Sequence, residues 1–493
     1  MVVDKAVKRL KEIDREVLLL SHILSVLSWD QEVLPSKGAE ERGAQVGLLE
    51  RQIHTLVTSD ELGEIIATLE GVQLGEVETA MVRHAKRDWE RERRLDGEFV
   101  QLFSETTAKA YPAWVKARQE DDFKAFAPTL EMIVTLLQEK AEALGHSGEP
   151  YDPLLDLYEE GTTTAEVESL FSEMGLFLKE ILEQVGEREV DDTFLYGKYP
   201  QESQDFFIRE VLTNMGFDWE RGLLHTAVHP ATSTLGAHDI RITTRYEELS
   251  VASPLFSAIH EGGHALYEMA ASQGVCRGTT LGSGVSLGFH ESQSRLWENM
   301  IGRSGSFWDY YFPQFKELFP LQLANVDEGQ FLAAINRVKA TPIRVDADEV
   351  TYGLHIIARF ELEKALLKGD LKVKDLSGAW AEKMEKLLNI KVKSDRLGVL
   401  QDVHWSMGVF GYFPTYALGN LYGAQISAIM ANEIDLDYHL KRGELTPIRE
   451  WLEAKILKYG ALYQPKELLN KVTGSPLRSS HFKEYLTKKY LEI

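Results

Sequence analysis

The chain has 493 residues, 44% of them hydrophobic and 27% charged, the balance of a folded globular protein rather than a disordered one. Its 77 acidic residues outnumber the 54 basic ones for a formal net charge of -23, a field that repels phosphate backbones and anionic membrane surfaces, so neither nucleic acid nor a membrane is an expected partner. The single cysteine, Cys276, rules out an intramolecular disulfide and suits a reducing, cytoplasmic setting.

The first residues carry a short apolar run, but acidic residues precede it and no small-residue cleavage site follows, so it reads as an amphipathic helix and not a leader. Apolar positions recurring every three or four residues predict helices over 4–28, 39–56, 78–108, 124–145 and 164–185. No run of about 18 apolar residues occurs, so a membrane-spanning helix is not expected. Gly, Pro, Ser and Thr collect at 186–202, 227–238, 274–288, 302–306 and 410–423, which predicts breaks there. The clearest strand is 239–246, where Ile240, Ile242 and Thr244 alternate with Arg241, Thr243 and Arg245. After it, Ser253 suits a helix cap, Pro254 a first turn and Gly274 a stop. A further helical segment spans 288–299, and Asp348, or Asp346 with Glu349, suits the start of a helix near 349. No fixed-period repeat is visible. The expected architecture is therefore mainly α, with a small β element. We expect one catalytic unit over 1–493: an N-terminal helical subregion over about 1–200, a core over about 201–430 and C-terminal helices over 431–493.

Residues 260–264 read His-Glu-Gly-Gly-His inside the helix predicted after Ser253. His260 and His264, four apart, project from one helix face and can share one metal ion, while Glu261 lies about 100° round the axis and reaches a water on that ion. Zinc held by three protein ligands keeps a fourth position open and lowers the pKa of water there from 15.7 to about 7, and a neighbouring glutamate can move its proton to a leaving amine. The pair Gly262-Gly263 costs about 1 kcal/mol per residue inside a helix, which implies that something approaches the backbone closely. The third ligand must come from elsewhere: His290 and Glu291 both qualify, and chemistry alone does not choose between them. Glu298, seven residues past Glu291, can orient one of the histidines from behind.

In order, the chain carries His229-Pro230, Asp239-x-Arg241-x-Thr243, His260-Glu-x-x-His264, His290-Glu291-Ser292-Gln293, Ile343-Arg344-x-x-Ala347-Asp348 and Gly398-x-x-Gln401-Asp402-x-His404-Trp405, with weaker likeness at Trp29-Asp30-Gln31 and Tyr151-Asp152-Pro153-Leu154-Leu155. This series resembles the carboxypeptidase Taq family of thermostable metallocarboxypeptidases. One departure is Ala231, where the family's motif reads His-Pro-Phe; it bears on the substrate cleft beside His229 and not on the metal motif. The resemblance implies Glu291 as third ligand, zinc or cobalt as the ion, and a large helical, neurolysin-like zincin fold with a deep cleft. It also implies a homodimer that removes single residues from peptide C-termini with broad side-chain tolerance.

A carboxypeptidase must grip a terminal carboxylate, and the planar fork of an arginine does so best. Arg344 is the first candidate and Arg241 the second, each with a structural salt bridge to Asp239, Asp346 or Asp348 as its other reading. An oxyanion donor can come from Tyr412 or Tyr416, beside His404 in a turn punctuated by Gly and Pro, with Gln401 and Asp402 setting the cleft's depth or orienting His404. Cys276 has no partner histidine at a nucleophile's spacing. Two competing functions are a neurolysin-type oligoendopeptidase, which needs no carboxylate clamp, and a catalytically silent scaffold, which has no use for Glu261.

Overall fold

Amphipathic patterning of this kind produces helix after helix, and the computed structural model, which describes residues 2–33, 36–186 and 188–492, is mainly helical. The chain folds into two compact units, each built from separated stretches: Met1–Arg93, Val190–Ile335 and Ile426–Pro476 form the first, and Arg94–Glu189, Asn336–Gln425 and Leu477–Ile493 the second.

In the first unit, helices Val3–Val33, Asp60–Leu69 and Glu76–Glu92 enclose an apolar cluster that includes Leu10, Ile13, Ile65, Leu69 and Met81. Cys276 is buried in the same cluster and burial pushes its thiol up to about 11, so it is an apolar packing group, as its isolation in the sequence suggested. The predicted helix over 78–108 is in fact two, Glu76–Glu92 and Gly97–Glu120, because Asp96 takes an extended backbone and accepts from the N–H of Phe99 to begin a new one.

The β element is a three-stranded sheet of β1 (Gly222–Thr226), β2 (Ala231–Gly236) and β3 (Asp239–Thr244), in the order β1-β3-β2. β3 runs parallel to β1 and antiparallel to β2, with Arg241 opposite Leu223 on one side and Ser233 on the other. Its apolar pair Ile240 and Ile242 is fully buried, as the alternation predicts. β2 falls inside the predicted break at 227–238: its Ala-Thr-Ser-Thr run has no apolar alternation to signal a strand. The central position of β3 supplies the order that β2 lacks.

Against β2 and β3 packs the helix Ala252–Ala271, which carries the His-Glu-Gly-Gly-His motif. It starts one residue before Ser253, with no side-chain cap, so Ser253 lies in its first turn rather than at the cap position; Pro254 sits beside it as predicted. Two helices lie close on its other sides. A Cβ on Gly262 would stand 2.6 Å from Leu212 of helix Gln201–Met215, and one on Gly263 would stand 2.7 Å from the carbonyl oxygen of Gln293 and 2.8 Å from the α-carbon of Ser294 in helix Leu287–Arg295. These are the close backbone approaches that two glycines within a helix imply.

In the second unit, helix Glu349–Lys368 is buried along most of its length, and Phe360 meets Tyr151 and Phe171 edge to face. Asp348 caps it, accepting from the N–H groups of Val350 at 2.9 Å and Thr351 at 3.0 Å. The predicted break at 410–423 is short, because Phe413–Glu433 is helical. Pro414 lies in its first turn, where proline's missing N–H costs nothing.

Candidate active site

The motif helix and its neighbour bring three ligand-bearing side chains of the first unit together. Ligand atoms of His260, His264 and Glu291 all lie within 4.8 Å of one another. Nε2 of each histidine is 3.6 Å from Oε2 of Glu291, too long for a hydrogen bond. That spacing is close to the roughly 3.4 Å that separates two ligands on a tetrahedral zinc with bonds of about 2.0–2.1 Å. The donor set thus fits a small divalent cation. Of the two candidates left open by spacing, Glu291 turns its carboxylate to both imidazoles, whereas His290 turns its ring to the far side of His264.

Burial would raise the carboxyl of Glu291, but Arg295, whose Nε donates to Oε1 at 2.7 Å, and His260 hold it well below the ordinary range. This carboxylate therefore stays ionised. Burial and the neighbouring imidazoles push His264 down to about 3, which keeps it neutral and able to coordinate. For His260 burial acts downward as well, yet Glu291 and Glu298 outweigh it and raise the group. Nδ1 of His260 lies 2.9 Å from Oε2 of Glu298, the orienting contact expected of Glu298. Glu298 sits in a π-helical stretch, Leu296–Ile301, and is held at about 2: burial opposes this, while His260, Arg295 and Arg303 favour the charged form.

Glu261 is buried and raised by that burial, with His260 and the hydroxyl of Thr232 acting the other way. Thr232, on β2, donates to Oε2 of Glu261 at 2.7 Å. The result is a carboxylate held in place with a heightened affinity for a proton, as a general base requires. Nothing in the sequence pointed to Thr232, since only the sheet brings residue 232 to residue 261.

The remaining candidates fall in two places. His229, in the first unit, is exposed, and its backbone carbonyl accepts from the Thr243 hydroxyl at 3.0 Å. Arg241 donates twice to Asp239, both at 2.8 Å, and its guanidinium lies 5.3 Å from the ring centre of Trp29. The structural salt bridge foreseen for it is therefore present.

Arg344, Gln401, His404, Tyr412 and Tyr416 belong to the second unit. Asp402 is the hub: Arg344 donates to its Oδ1 through Nη2 at 2.8 Å and Nε at 3.0 Å, and Arg359 donates to Oδ2 through Nε at 2.7 Å. Burial would raise Asp402, but the two guanidinium groups hold it far below the carboxylate range. Two cations thus face one carboxylate, which leaves this buried cluster with an excess positive charge. Gln401 takes no free part, since Oε1 accepts from the backbone N–H of Arg344 and from Arg359, both at 2.8 Å, while Nε2 donates to the carbonyl of Pro342 at 2.9 Å. His404 packs against Tyr412 and Phe413, and burial beside the two arginines pushes it down to about 4. Tyr412 and Tyr416 meet edge to face at 5.2 Å, and the Arg344 guanidinium lies 5.3 Å from the Tyr416 ring centre. Arg359 carried no motif signal: it is an ordinary-looking residue in a helix whose burial is tertiary.

A mainly helical chain in which an H-E-x-x-H helix and a glutamate from the next helix assemble a cation-sized ligand set has the build of a helical metallopeptidase. The family described as Carboxypeptidase Taq (M32) metallopeptidase matches residues 9–490, and the chain belongs to that family of peptide hydrolases. Thermostable carboxypeptidase 1 of Thermus thermophilus is 40% identical over 100% of both chains. A carboxypeptidase structure from Pyrococcus furiosus superposes with a TM-score of 0.95 at 38% identity, covering 99% of each chain. One from Deinococcus radiodurans does so with a TM-score of 0.94 at 37% identity over 99% of each. These relatives favour neither an oligoendopeptidase nor a silent scaffold.

Proposed function

We propose that this metallocarboxypeptidase releases single residues from the C-termini of peptides, with zinc at His260, His264 and Glu291 and cobalt as a competent substitute. The observation that carries the reading is the convergence of both Nε2 atoms on one ionised carboxylate, with Glu261 buried alongside and anchored by Thr232. Zinc bound there supplies a Lewis acid that acidifies water and polarises the scissile carbonyl. Glu261 accepts the proton of the attacking water and returns it to the leaving amine. Arg344 binds the substrate's terminal carboxylate, a role supported by the excess positive charge around Asp402, while the Asp239 salt bridge makes Arg241 the weaker candidate. Tyr412 or Tyr416 donates to the developing oxyanion, and His229, Gln401 and His404 shape substrate binding. Broad side-chain tolerance and a homodimer are further parts of the reading, supported by the motif series. A cytoplasmic location is supported by the lone cysteine. No described helix is long and apolar enough to cross a membrane.

The test uses the full chain with zinc content measured beside peptidase activity. Glu261→Gln should retain zinc and lose roughly 10²- to 10⁴-fold in kcat. Peptides amidated at the C-terminus should be cleaved far more slowly than their free-acid forms. Equal rates for variant and parent would end the assignment of Glu261, and equal rates on the two peptide forms would end the carboxylate clamp.

A further inference from the structure

The two histidines of the motif are supported from behind in different ways. His260 meets a carboxylate directly, Glu298, which Arg295 and Arg303 also approach at 3.4 Å. Behind His264 stands another imidazole: its Nδ1 is 2.6 Å from Nδ1 of His290, and Nε2 of His290 is 2.9 Å from Oε1 of Glu268. Glu268 in turn accepts from the Ser283 hydroxyl at 2.9 and 3.0 Å, the Gly284 N–H at 2.9 Å and the Thr234 hydroxyl at 3.1 Å, and its side chain is 4% exposed. The His290 ring is enclosed on two further sides. A Cβ on Gly284 would stand 2.5 Å from its Cδ2, and the Tyr267 ring lies 5.2 Å away, its hydroxyl accepting from the N–H of Val285 at 3.2 Å.

Coordination through Nε2 of His264, the atom that faces Glu291, gives this chain of hydrogen bonds one direction. Burial alone would raise Glu268, but His290, Gly284 and Ser283 keep it below its ordinary value, so the far end is ionised and can only accept. With its Nε2 lone pair given to the cation, His264 keeps its ring proton on Nδ1. At 2.6 Å Nδ1 of His290 accepts that proton, and Nε2 of His290, 2.9 Å from Glu268, donates its own to the carboxylate.

We propose that His290 and Glu268 are a positioning pair for His264: they set its tautomer and ring direction so that Nε2 is presented to the divalent cation. The proposal rests on the reading of His260, His264 and Glu291 as ligands. Glu268 lies on the motif helix, four residues beyond His264, and the pairing explains why the third-ligand motif opens with His290 before Glu291.

The full-length variants His290→Phe and Glu268→Gln test it, with zinc affinity measured by competition with a chelator, the visible spectrum of the cobalt-substituted protein, and the melting temperature of the metal-free protein. Loss of such an orienting partner typically weakens a metal about 10- to 100-fold, and His290→Phe should fall in that range with an altered cobalt spectrum and an unchanged metal-free melting temperature. Glu268→Gln keeps an acceptor oxygen and should weaken zinc by less than His290→Phe does. Parent-like zinc affinity and cobalt spectrum in His290→Phe, or a lowered metal-free melting temperature with affinity unchanged, overturns the proposal. Should His290→Phe fail to fold, the zinc affinity and cobalt spectrum of Glu268→Gln decide alone, and parent-like values for both overturn it. A parent that binds no zinc overturns the ligand assignment and the proposal with it, whereas a parent that binds zinc and variants that bind it equally overturn the positioning role only.

Discussion

Replacing Gly263 by alanine adds one methyl group where two helix backbones touch. The new carbon would stand 2.7 Å from the Gln293 carbonyl oxygen and 2.8 Å from the α-carbon of Ser294, and neither is the tip of a side chain that can swing away. Restoring an ordinary carbon–carbon separation of about 3.5 Å means that helix Leu287–Arg295 must retreat by roughly 0.7 Å. That helix carries Glu291, so the retreat adds directly to the 3.6 Å separations between its carboxylate and the two imidazoles. Overpacking of this kind costs about 1–3 kcal/mol, and the better helix propensity of alanine offsets about 1 kcal/mol of it. Thermal unfolding of the metal-free protein should therefore show a net loss of up to about 2 kcal/mol, against the gain expected of the Gly47→Ala control. Chelator competition should show weaker zinc binding, because ligand sets tolerate only about 0.5 Å of error. Gly47→Ala is the control: Gly47 lies inside helix Ala39–Val57 with nothing within 4 Å of its added carbon, so this variant should gain up to about 1 kcal/mol and leave zinc affinity alone. A Gly263→Ala protein as stable as Gly47→Ala, with parental zinc affinity, would refute the claim that this glycine exists to let the ligand helix approach.

Glu298→Gln removes the charge behind His260 and should weaken zinc about 10-fold or more, read by the same competition assay, with Glu261-dependent catalysis intact at saturating zinc. Asp348→Ala deletes the cap of helix Glu349–Lys368 along with its bond to the Lys339 N–H, and should lower stability in chemical unfolding by about 2 kcal/mol. Glu363 is fully buried, and that burial pushes it up to about 7 against the opposing hydrogen bonds from Tyr151, Trp405 and Gly411. A folded-state value above the unfolded one means that the folded protein holds an extra proton between pH 4.5 and about 7, so this contribution is complete at low pH and is lost as pH rises through about 7. The stability of the parent minus that of Glu363→Gln should fall by on the order of 3 kcal/mol across that window, and a difference independent of pH would contradict it.

Much of the candidate site is legible because its chemistry is local. The i, i+4 histidines, the glutamate between them and the paired glycines all belong to one helix, whose period places the two imidazoles on a single face. The capping role of Asp348 and the helices over 39–56, 124–145 and 164–185 follow from the same short-range rules and are found within a residue or two of their expected ends. The errors occur where a local signal was overridden or lacking. One long predicted helix divides at Asp96, a glycine-marked break is helical from Phe413, and β2 is a strand only because β3 offers it a partner.

What residues 229–404 contribute beyond these motifs depends on which side chains meet across distance in the chain. The sequence by itself determined that two imidazoles would share a helix face with a glutamate beside them, and that arginines were available to bind a carboxylate. Only the tertiary structure decided that Glu291 rather than His290 faces both imidazoles, that Thr232 anchors Glu261, that Asp402 gathers Arg344 and Arg359, and that Glu268 stands behind His290. The reason is physical. Helix periodicity is set by bonds four residues apart, whereas hydrogen bonds such as Thr232 to Glu261 or Arg344 to Asp402 span tens of residues and exist only once burial has brought their elements together.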